Sequence, residues 1–522
     1  MTDRIGRRLF LGGVGATLAA PALAQLAESS FFADFPFKLG VASGDPSADG
    51  FVIWTRLAPD LSEPGAGLPR RALPVRWEVS DTRTFAKLAA SGEALARPEL
   101  GHSVHVTVSG LAPGRPWFYR FIAAGERSAT GRARTLPAAD ADVAQVRIGV
   151  AGCQDWQAGL YTAFAHLARE ELDAVFHYGD YMYEYGPRAS FLDFATGLQV
   201  PTVRRHDGPT TYSLDDYRRR YMLIRADLDL QNAHAAHPFL MSFDDHEVVN
   251  NWVSDIAPDG TPPELFRLRR AAAMQAWYEF MPVRADALPG PAGQSGPWRH
   301  YRFGQLLDAR MLNTRSYRSS QPCGDRFGSF CPEVNDPKAE VLGRAQEDWL
   351  VGGLTRRPGR WNALLQQVMM MDLDRGRQAA RGINPDSWAG YAAPRDRLLK
   401  RLSGVPNLVV LTGDEHQHWV GHVRPTGADP SRTPAAAVEF VTTSITSGGD
   451  GPGERAEHAE IRRRNPGLVD VFDQRGYSVM TATPEAWTAE MKVVDTVRAP
   501  GGRLKTHASF RVGAGSNRVE RA

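Results

Sequence analysis

Five apolar segments of the chain run into residues that can bind a metal ion. They are found in "GVAGCQD", "VFHYGDYMYE", "LMSFDDHEVVNNW", "LLQQVMMMD" and "VVLTGDEHQHW", and each begins as a run typical of a buried strand. Their polar ends supply thiolate, carboxylate, phenolate, imidazole and amide groups: Cys153, Asp180, Tyr183, Asp244, Asp245, His246, Asn250, Gln366, Gln367, Asp414, His416 and His418. These groups bind metals of differing softness, and ligands of α/β domains bind beyond the carboxyl ends of strands. The sequence therefore predicts a metal centre at one rim.

Each of these residues also has an ordinary structural interpretation. An aspartate after a strand most often forms a turn or caps a helix. A buried cysteine such as Cys153 is usually a small apolar side chain. Tyr183 is equally suited to cover the strand end, a packing role that we expect for Tyr181 and Tyr185. The convergence of five strand ends, rather than any single residue, predicts the metal site.

Two kinds of pattern divide the chain into domains. Residues 35–137 contain short strands of period-two alternation separated by turns, which predicts a small all-β sandwich of the immunoglobulin or fibronectin type III kind. The stretch "LAPGRPWFYRF" resembles the fibronectin corner, with Trp117 where a tyrosine is usual. After the linker "PAADADVAQ", residues 145–500 alternate strands and helices, which predicts an α/β domain. We expect residues 501–522 to form a polar, disordered tail.

The N-terminus has the pattern of an export signal. Arg7 and Arg8 precede the apolar stretch "LFLGGVGATLAAPALA", which ends in a small-x-small cleavage pattern at Ala24. Paired arginines followed by Leu-Phe-Leu are typical of a twin-arginine signal, although paired basic residues also occur in general secretory signals. We therefore predict that residues 1–24 are removed, that the twin-arginine translocase is a partner during export, and that the protein is periplasmic or secreted. No other stretch is apolar enough to span a membrane.

Composition and cysteine usage narrow the class further. The 522 residues carry a formal net charge of +2, from 61 basic and 59 acidic side chains, so nucleic-acid-specific binding is not expected. Cys323 and Cys331 bracket the loop "CGDRFGSFC", and in an exported protein such a pair predicts a disulfide. Cys153 then has no cysteine partner, which is consistent with a thiolate that binds a metal.

The order of the motifs resembles that of the metallophosphoesterases. "GDYMY" matches the Gly-Asp-x-x-Tyr form of purple acid phosphatases, while "DDHE" and "GDEH" stand where Gly-Asn-His-Glu and Gly-His-x-His are usual. The combination of "AGCQ", "YGDYMYEYG", "FDDHEVVNNW" and "GDEHQHW" resembles the PhoD alkaline phosphatase family, from about Phe35 to nearly the end. The resemblance implies a metallophosphoesterase-type α/β fold, a β-sandwich core flanked by helices, preceded by the small all-β domain.

The resemblance also implies the metals, which are ferric iron and one or two calcium ions. Carried over by motif, the residues that hold iron are Cys153, Asp180, Tyr183 and His416. Asp180 would bridge to a calcium ion bound by Asp245 and Asp414, since carboxylates in place of amide and imidazole favour Ca²⁺, Mg²⁺ or Mn²⁺ over Zn²⁺. The amide of Gln366 or Gln367 would complete that shell, and the sequence does not choose between them.

For the mechanism, the resemblance implies attack on a phosphate ester by a metal-bound hydroxide or oxide. His246 matches the histidine that contacts the phosphoryl group or protonates the leaving oxygen, with Asp244 or Glu247 orienting it. The further candidates for contacts to phosphate are Arg315, Arg318, Asn250 and His418; ordinary structural pairing is the alternative for both arginines.

The sequence is compatible with three functions. The first is an exported alkaline phosphatase that hydrolyses phosphate monoesters and diesters. The second is a phospholipase D-type phosphodiesterase of the same family that acts on phospholipids. The third is an inactive protein that binds a surface ligand through its β-sandwich, for which we would expect a missing ligand position.

Overall fold

The computed structural model of the protein describes residues 32–193, 196–287, 298–376 and 380–522. The predicted signal segment, residues 1–24, lies outside the described residues. Over the described ranges, no helix is both long enough and apolar enough to cross a membrane.

Strands predominate in the described structure. In chain order, they are β1 (Val41–Ser47), β2 (Gly50–Arg56), β3 (Leu73–Ser80), β4 (Ala90–Ala96), β5 (Ser103–Val108), β6 (Pro116–Ala123), β7 (Glu126–Arg127), β8 (Gly131–Arg134), β9 (Val146–Ala151), β10 (Ala174–His177), β11 (Ser190–Asp193), β12 (Leu198–Pro201), β13 (Pro238–Met241), β14 (Arg299–Phe303), β15 (Leu307–Met311), β16 (Trp361–Leu365), β17 (Leu408–Thr412), β18 (His418–Val423), β19 (Ala437–Val441), β20 (Leu468–Phe472), β21 (Gly476–Ala482), β22 (Ala486–Val494), β23 (Leu504–Gly513) and β24 (Val519–Arg521). The helices are α1 (Thr162–Leu167), α2 (Leu214–Arg225), α3 (Leu228–Ala236), α4 (Pro263–Phe280), α5 (Arg344–Arg356), α6 (Ala392–Arg401) and α7 (His458–Arg464).

The N-terminal region forms the small β-sandwich that its alternating pattern predicts. Strand β6 alternates strictly, with every second side chain from Trp117 to Ala123 buried. The sheet β4-β3-β6-β7, with β8 beside β6, packs over β1, β2 and β5. Strands β1, β2 and β5 are also the end of a ten-stranded sheet, so the sandwich shares its second layer with the larger domain.

Two large sheets pack face to face to form the main core. The ten-stranded sheet runs β24-β23-β22-β21-β9-β10-β13-β1-β2-β5, and the seven-stranded sheet runs β14-β15-β16-β17-β19-β18-β20. Apolar side chains from both sheets, among them Phe176, Leu240, Leu365 and Leu411, fill the space between them. This is the β-sandwich core that the sequence predicts.

Helices cover the outer faces of both sheets. Helices α1, α2, α3 and α4 contribute to a core with outward-facing residues of the ten-stranded sheet, such as Val175 and Phe239. Helices α5 and α6 pack on the opposite face of the seven-stranded sheet, against Leu364 and Val410. The expected order of layers, helix–sheet–sheet–helix, is therefore confirmed.

The expectation of a disordered tail at residues 501–522 is wrong. Residues Leu504–Gly513 and Val519–Arg521 form β23 and β24, which extend the ten-stranded sheet. Although the segment is polar in composition, buried and more exposed side chains alternate along β23. Ala508, Phe510 and Val512 point into the core between the sheets. The second domain therefore extends to the last strand.

Candidate metal centre

Parallel strands bring the predicted residues to one edge of the sandwich. In the ten-stranded sheet, β9, β10 and β13 are parallel, and in the other sheet β15, β16, β17 and β19 are parallel. Cys153, Asp180 and Asp244 follow β9, β10 and β13, while Asp414 follows β17. Because the carboxyl ends of parallel strands share an edge, these side chains converge from both sheets.

Glycines let the two sheets approach each other at this edge. Gly152 and Gly413, directly before Cys153 and Asp414, lie against the ring of Tyr178. A Cβ atom on Gly152 would lie 2.4 Å from that ring, and one on Gly413 would lie 2.1 Å from it. Glycine is therefore required at both strand ends to bring the thiol and the carboxylate together.

Cys153, Asp180, Tyr183 and His416 form one compact group, which we call the thiolate–phenolate group. Oδ2 of Asp180 lies 3.3 Å from Sγ of Cys153 and 3.1 Å from the hydroxyl of Tyr183. The Tyr183 hydroxyl is 3.4 Å from Nε2 of His416. Ligand atoms of Cys153, Asp180 and His416 all lie within 4.8 Å of one another, close enough to surround one ion.

Three carboxylates, from Asp244, Asp245 and Asp414, form an adjacent group, which we call the carboxylate group. Their oxygens also lie within 4.8 Å of one another. Asp180 joins the two groups, because its second oxygen, Oδ1, accepts a hydrogen bond of 3.3 Å from the backbone N–H of His246, beside Asp245. One carboxylate thus faces both groups, an arrangement suited to two ions that share a ligand.

Several of these residues have unfavourable backbone conformations. Cys153, Asp180, Asp414 and His416 have φ angles of 49°, 54°, 67° and 55°, in the left-handed region. Such conformations cost of the order of 1–3 kcal/mol each in a residue with a side chain, and they concentrate at functional sites. The surrounding packing therefore holds these four side chains in place against a local cost.

Burial and mutual repulsion raise the pKa of four acids in the centre, whereas the charges of Arg315 and His246 lower the pKa of Asp245 despite its burial. Burial raises the pKa of the Cys153 thiol, and the carboxylates of Asp180 and Asp414 raise it further. Burial, together with Asp244 and Asp386, likewise raises the pKa of Asp414. Burial lowers the pKa of His416 to about 3, so its imidazole is neutral and able to bind a metal. Cys153, Asp180, Asp244 and Asp414 therefore need nearby positive charge to ionise.

Asp244 gives a direct test of whether the residues fit a cation. One of its oxygens, Oδ1, accepts a 2.5 Å hydrogen bond from Arg315. Within the described part of the chain, no group donates a hydrogen bond to its other oxygen, Oδ2, which is fully buried. Burial raises the pKa of Asp244 to about 6, against the charge of Arg315. A buried carboxylate oxygen without a partner is costly, and a bound cation would satisfy it.

Comparisons with known proteins give the family. The model of the "PhoD-like phosphatase" family matches residues 148–491, and that of the "PhoD-like phosphatase, N-terminal domain" matches residues 22–137. The chain belongs to the PhoD-like phosphatase family. It is 42% identical over 482 residues to alkaline phosphatase D of Bacillus subtilis (strain 168), covering 92% of this chain and 81% of that protein. A solved structure described as "Structure of PhoD" matches with a TM-score of 0.89 at 41% identity, covering 94% and 93% of the two chains.

Membership of the PhoD-like family settles the class of activity. The protein is a metal-dependent phosphatase, a hydrolase of phosphoric esters, and its substrates are phosphate esters. The alternative of an inactive surface-binding protein loses its support, because the family is enzymatic and the metal-binding side chains are present.

His246 has a partner that the sequence interpretation missed. Nδ1 of His246 lies 2.7 Å from Oε2 of Glu184, whereas we expected Asp244 or Glu247 to orient the ring. The carboxylate of Glu247 instead accepts backbone hydrogen bonds from Asp180, Tyr181 and Asp244, at 3.0, 2.6 and 2.7 Å. Glu247 thereby ties the ends of β10 and β13 together. Glu184 lies within "YGDYMYEYG", but its distance from His246 along the chain gives no sign of the pairing.

Arg315 and Arg318 make the structural pairings that the sequence analysis gave as the alternative to phosphate contacts. Arg315 is fully buried and donates to Asp244 at 2.5 Å and to Asp386 at 2.7 Å. Arg318 donates to the Thr314 carbonyl at 2.7 Å and to the side chain of Asp386 at 2.8 Å. Both arginines therefore position the carboxylate group. Nη2 of each has no hydrogen-bond partner among the described residues, so a contact to phosphate stays a prediction.

The prediction that Gln367 binds the second metal is also wrong. Its side-chain oxygen accepts from the Thr314 backbone N–H at 3.0 Å and from the Thr314 hydroxyl at 2.6 Å. Its amide nitrogen donates to Ser242 and to the Leu312 carbonyl. Both lone pairs of the oxygen are thus occupied. The oxygen of Gln366 accepts a 2.7 Å hydrogen bond from Trp388. Gln367 therefore joins the two sheets, whereas Gln366 contacts Trp388, just before α6.

The contacts of His418 do not suit a phosphate ligand, whereas the role predicted for the Asn250 side chain stays a prediction. His418 is buried, and its ring nitrogens meet the Thr443 backbone N–H at 3.3 Å and the Lys492 carbonyl at 3.4 Å. Burial lowers its pKa to about 3, so it carries no positive charge for phosphate. Asn250 donates its backbone N–H to Glu184, and the next residue, Asn251, is the one that contacts Asp245.

Ser447 is a further residue that sequence reasoning missed. Its hydroxyl lies 2.6 Å from the hydroxyl of Tyr183 and 2.9 Å from the Cys153 carbonyl. It follows β19 in the stretch "TSITSGGDG", whose run of serines and glycines reads as a plain loop. The predicted disulfide is present, since Cys323 and Cys331 are joined, and Cys153 is a buried free thiol.

Proposed function

We propose that the protein is an exported phosphatase that hydrolyses phosphate monoesters and diesters at a centre of ferric iron and calcium. The position of Asp180 carries the proposal. Its Oδ2 lies 3.3 Å from Sγ of Cys153 and 3.1 Å from the Tyr183 hydroxyl, while Oδ1 accepts a hydrogen bond from the N–H of His246. A carboxylate whose two oxygens face two different ligand groups is suited to bridge two metal ions.

The thiolate–phenolate group fits ferric iron. Thiolate, phenolate, carboxylate and imidazole are all known iron ligands, and anionic donors suit its high charge. Burial and the carboxylate of Asp180 raise the pKa of Tyr183 well above its usual value. A phenolate at this position therefore requires a strongly charged cation. We assign Cys153, Asp180, Tyr183 and His416 to iron.

The carboxylate group fits calcium. Asp245 and Asp414, together with the unpaired oxygen of Asp244, offer only oxygen donors, which calcium prefers. Asp244, which we expected to orient His246, is therefore a candidate calcium ligand instead. These oxygen donors can serve one or two calcium ions, and Asp180 would bind both calcium and iron.

His246 would protonate the leaving group of the ester. The bound cations would supply Lewis acidity toward the phosphoryl oxygens and lower the pKa of the attacking water. His246 is held through Nδ1 by Glu184, which directs Nε2 away from that carboxylate and leaves it to donate a proton to the leaving oxygen. The ring of Tyr183 lies 4.0 Å from that of His246, centroid to centroid, and limits its rotation.

Export is proposed from the N-terminal sequence. Arg7, Arg8 and the apolar stretch that follows them support twin-arginine export to the periplasm or the medium. Replacing both arginines by lysine should leave the precursor in the cytoplasm, whereas a general secretory signal would tolerate the change. Fractionation of cells that express the two forms distinguishes these outcomes.

Phospholipid esters are a second candidate substrate class. The hairpin of β11 and β12 follows the Tyr183 segment and exposes Leu192 and Leu198, which are 42% and 65% accessible. Exposed apolar side chains near a site favour contact with a lipid surface. Hydrolysis of phosphatidylcholine vesicles, compared with a soluble aryl phosphodiester, would test this. A Leu192→Ser, Leu198→Ser variant that loses only vesicle hydrolysis would support the lipid substrate.

The visible absorption spectrum and the iron and calcium content of the purified protein test the proposed centre. We expect a charge-transfer band in the wild type that is lost in Tyr183→Phe. Tyr185→Phe is the matched control, because Tyr185 packs its ring 5.5 Å from His246 without joining the thiolate–phenolate group. A colourless, iron-free wild type that is active with Zn²⁺ or Mn²⁺ would contradict the metals while leaving the phosphatase activity intact.

A further inference from the structure

Asn251 fixes the orientation of a carboxylate in the centre. Its backbone N–H donates a 2.6 Å hydrogen bond to Oδ2 of Asp245. Asn251 has a φ of 57°, in the left-handed region, which a residue with a side chain adopts only where surrounding contacts hold it. Contacts that fix the position of Asn251 therefore also fix the N–H that holds Oδ2 of Asp245.

Asn251 is held from a distant segment of the chain. Its side-chain nitrogen donates to Oδ2 of Asp325 at 2.7 Å. Its carbonyl oxygen accepts a 2.8 Å hydrogen bond from the side chain of Gln321. Three polar groups of one residue are thus engaged, one by the centre and two by residues 321–325. The Gln321 amide nitrogen also donates to Asp386 at 2.9 Å, so this segment contacts the partner of Arg315 as well.

The Cys323–Cys331 disulfide closes the segment that holds Asn251. Cys323, Gly324 and Asp325 have φ angles of 58°, 61° and 55°, three consecutive residues in the left-handed region. Two of them carry side chains, which disfavour that conformation in a free loop. The bridge joins positions only eight apart, and Glu333 accepts the Cys323 N–H at 2.9 Å. The closed loop therefore keeps Asp325 directed at Asn251.

We propose that the disulfide, Asp325 and Asn251 form a positioning chain that sets the affinity of the carboxylate group for calcium. The inference rests on the proposed function, in which Asp245 is a calcium ligand. Groups that hydrogen-bond to a ligand orient it, and their loss typically weakens metal binding by about 10- to 100-fold. If the disulfide only stabilised the fold, its removal would lower stability and leave the calcium affinity unaltered.

The test is calcium binding to the metal-depleted full-length protein, measured by titration calorimetry and by the calcium concentration that gives half-maximal activity. We expect Asp325→Ala, and separately Cys323→Ala with Cys331→Ala, to raise the dissociation constant by about 10-fold or more. Combining all three substitutions should add little, because both changes break the same chain. Asp325→Asn keeps an acceptor for Asn251 and should restore binding.

Arg326→Ala is the control, since Arg326 is exposed in the same loop. Unchanged calcium binding in Asp325→Ala, whose disulfide is intact, would overturn the positioning chain even if the cysteine variant unfolds. Additive effects of Asp325→Ala and the cysteine substitutions would overturn it as well. A wild type that neither binds nor needs calcium would instead contradict the proposed metal, and the inference would fail with it. If the wild type binds calcium and the variants bind it with the same dissociation constant, only the positioning chain is rejected and the proposed metal stands.

Discussion

Nδ1 of His246 lies 2.7 Å from Oε2 of Glu184, and both side chains are buried. Burial alone would lower the pKa of His246, but the carboxylates of Glu184, Asp245 and Asp180 raise it well above its usual value. Before metals bind, these carboxylates therefore favour the protonated imidazole. A protonated histidine beside the centre is suited to donate a proton to a leaving group.

Replacing Glu184 by glutamine should shift the pH dependence of activity. The neutral amide no longer stabilises the imidazolium, so the pKa of His246 falls and its proton is lost at lower pH. The alkaline limb of the kcat profile should move to lower pH, and kcat above that limb should fall by about 10- to 100-fold, in the range of general acid catalysis. Initial rates across the pH range measure both effects.

Two comparisons separate this effect from general damage. Glu171→Gln changes an exposed glutamate of the same domain and should leave the profile unaltered. A substrate with a very good leaving group, such as a nitrophenyl ester, needs less protonation and should lose less kcat in Glu184→Gln. An equal loss at all pH values for all substrates would contradict the assigned role of His246.

Arg315 should contribute strongly to the stability of the fold, because its buried charge neutralises a buried carboxylate. Its guanidinium lies between Asp244 and Asp386, and Arg315→Met leaves Asp244 buried without its counter-charge, while Asp386 keeps Arg318. Breaking a buried pair in this way costs about 3–5 kcal/mol in the free energy of unfolding. Urea unfolding in the presence of a chelator measures it without a metal contribution. The exposed pair of Arg503 and Asp495, 2.8 Å apart, gives the control Arg503→Met, with an expected change below about 1 kcal/mol.

The fold was largely predictable because its signals are local. Period-two alternation identifies strands such as β6, and alternating strands and helices predict parallel strands whose ends meet. That single rule brings Cys153, Asp180, Asp245 and Asp414 to one edge, where the structure has them. Sequence alone therefore identified the groups that can bind metal.

The predictions that failed concern partners that are distant along the chain. Gln367 has the right position after a strand, but Thr314 and Ser242 occupy its amide. Glu184 is 62 positions from His246, and no local pattern relates them. Side-chain hydrogen bonds between elements depend on the packing of the two sheets, which periodicity does not encode. The C-terminal strands were missed for a related reason, because their polar surface residues outweigh the buried ones in composition.

The C-terminal strand β23 should be essential to the core between the sheets. Phe510 is fully buried there, in register with Ala489 of β22 and Arg521 of β24. Phe510→Ala removes a large apolar side chain and leaves a cavity, which costs about 3–5 kcal/mol. Phe327, 62% exposed, provides the matched control, since Phe327→Ala should change the free energy of unfolding by less than about 0.5 kcal/mol. Chemical denaturation of the two variants compares them directly. Equal stabilities would mean that residues 501–522 are dispensable to the sandwich, as a disordered tail would be.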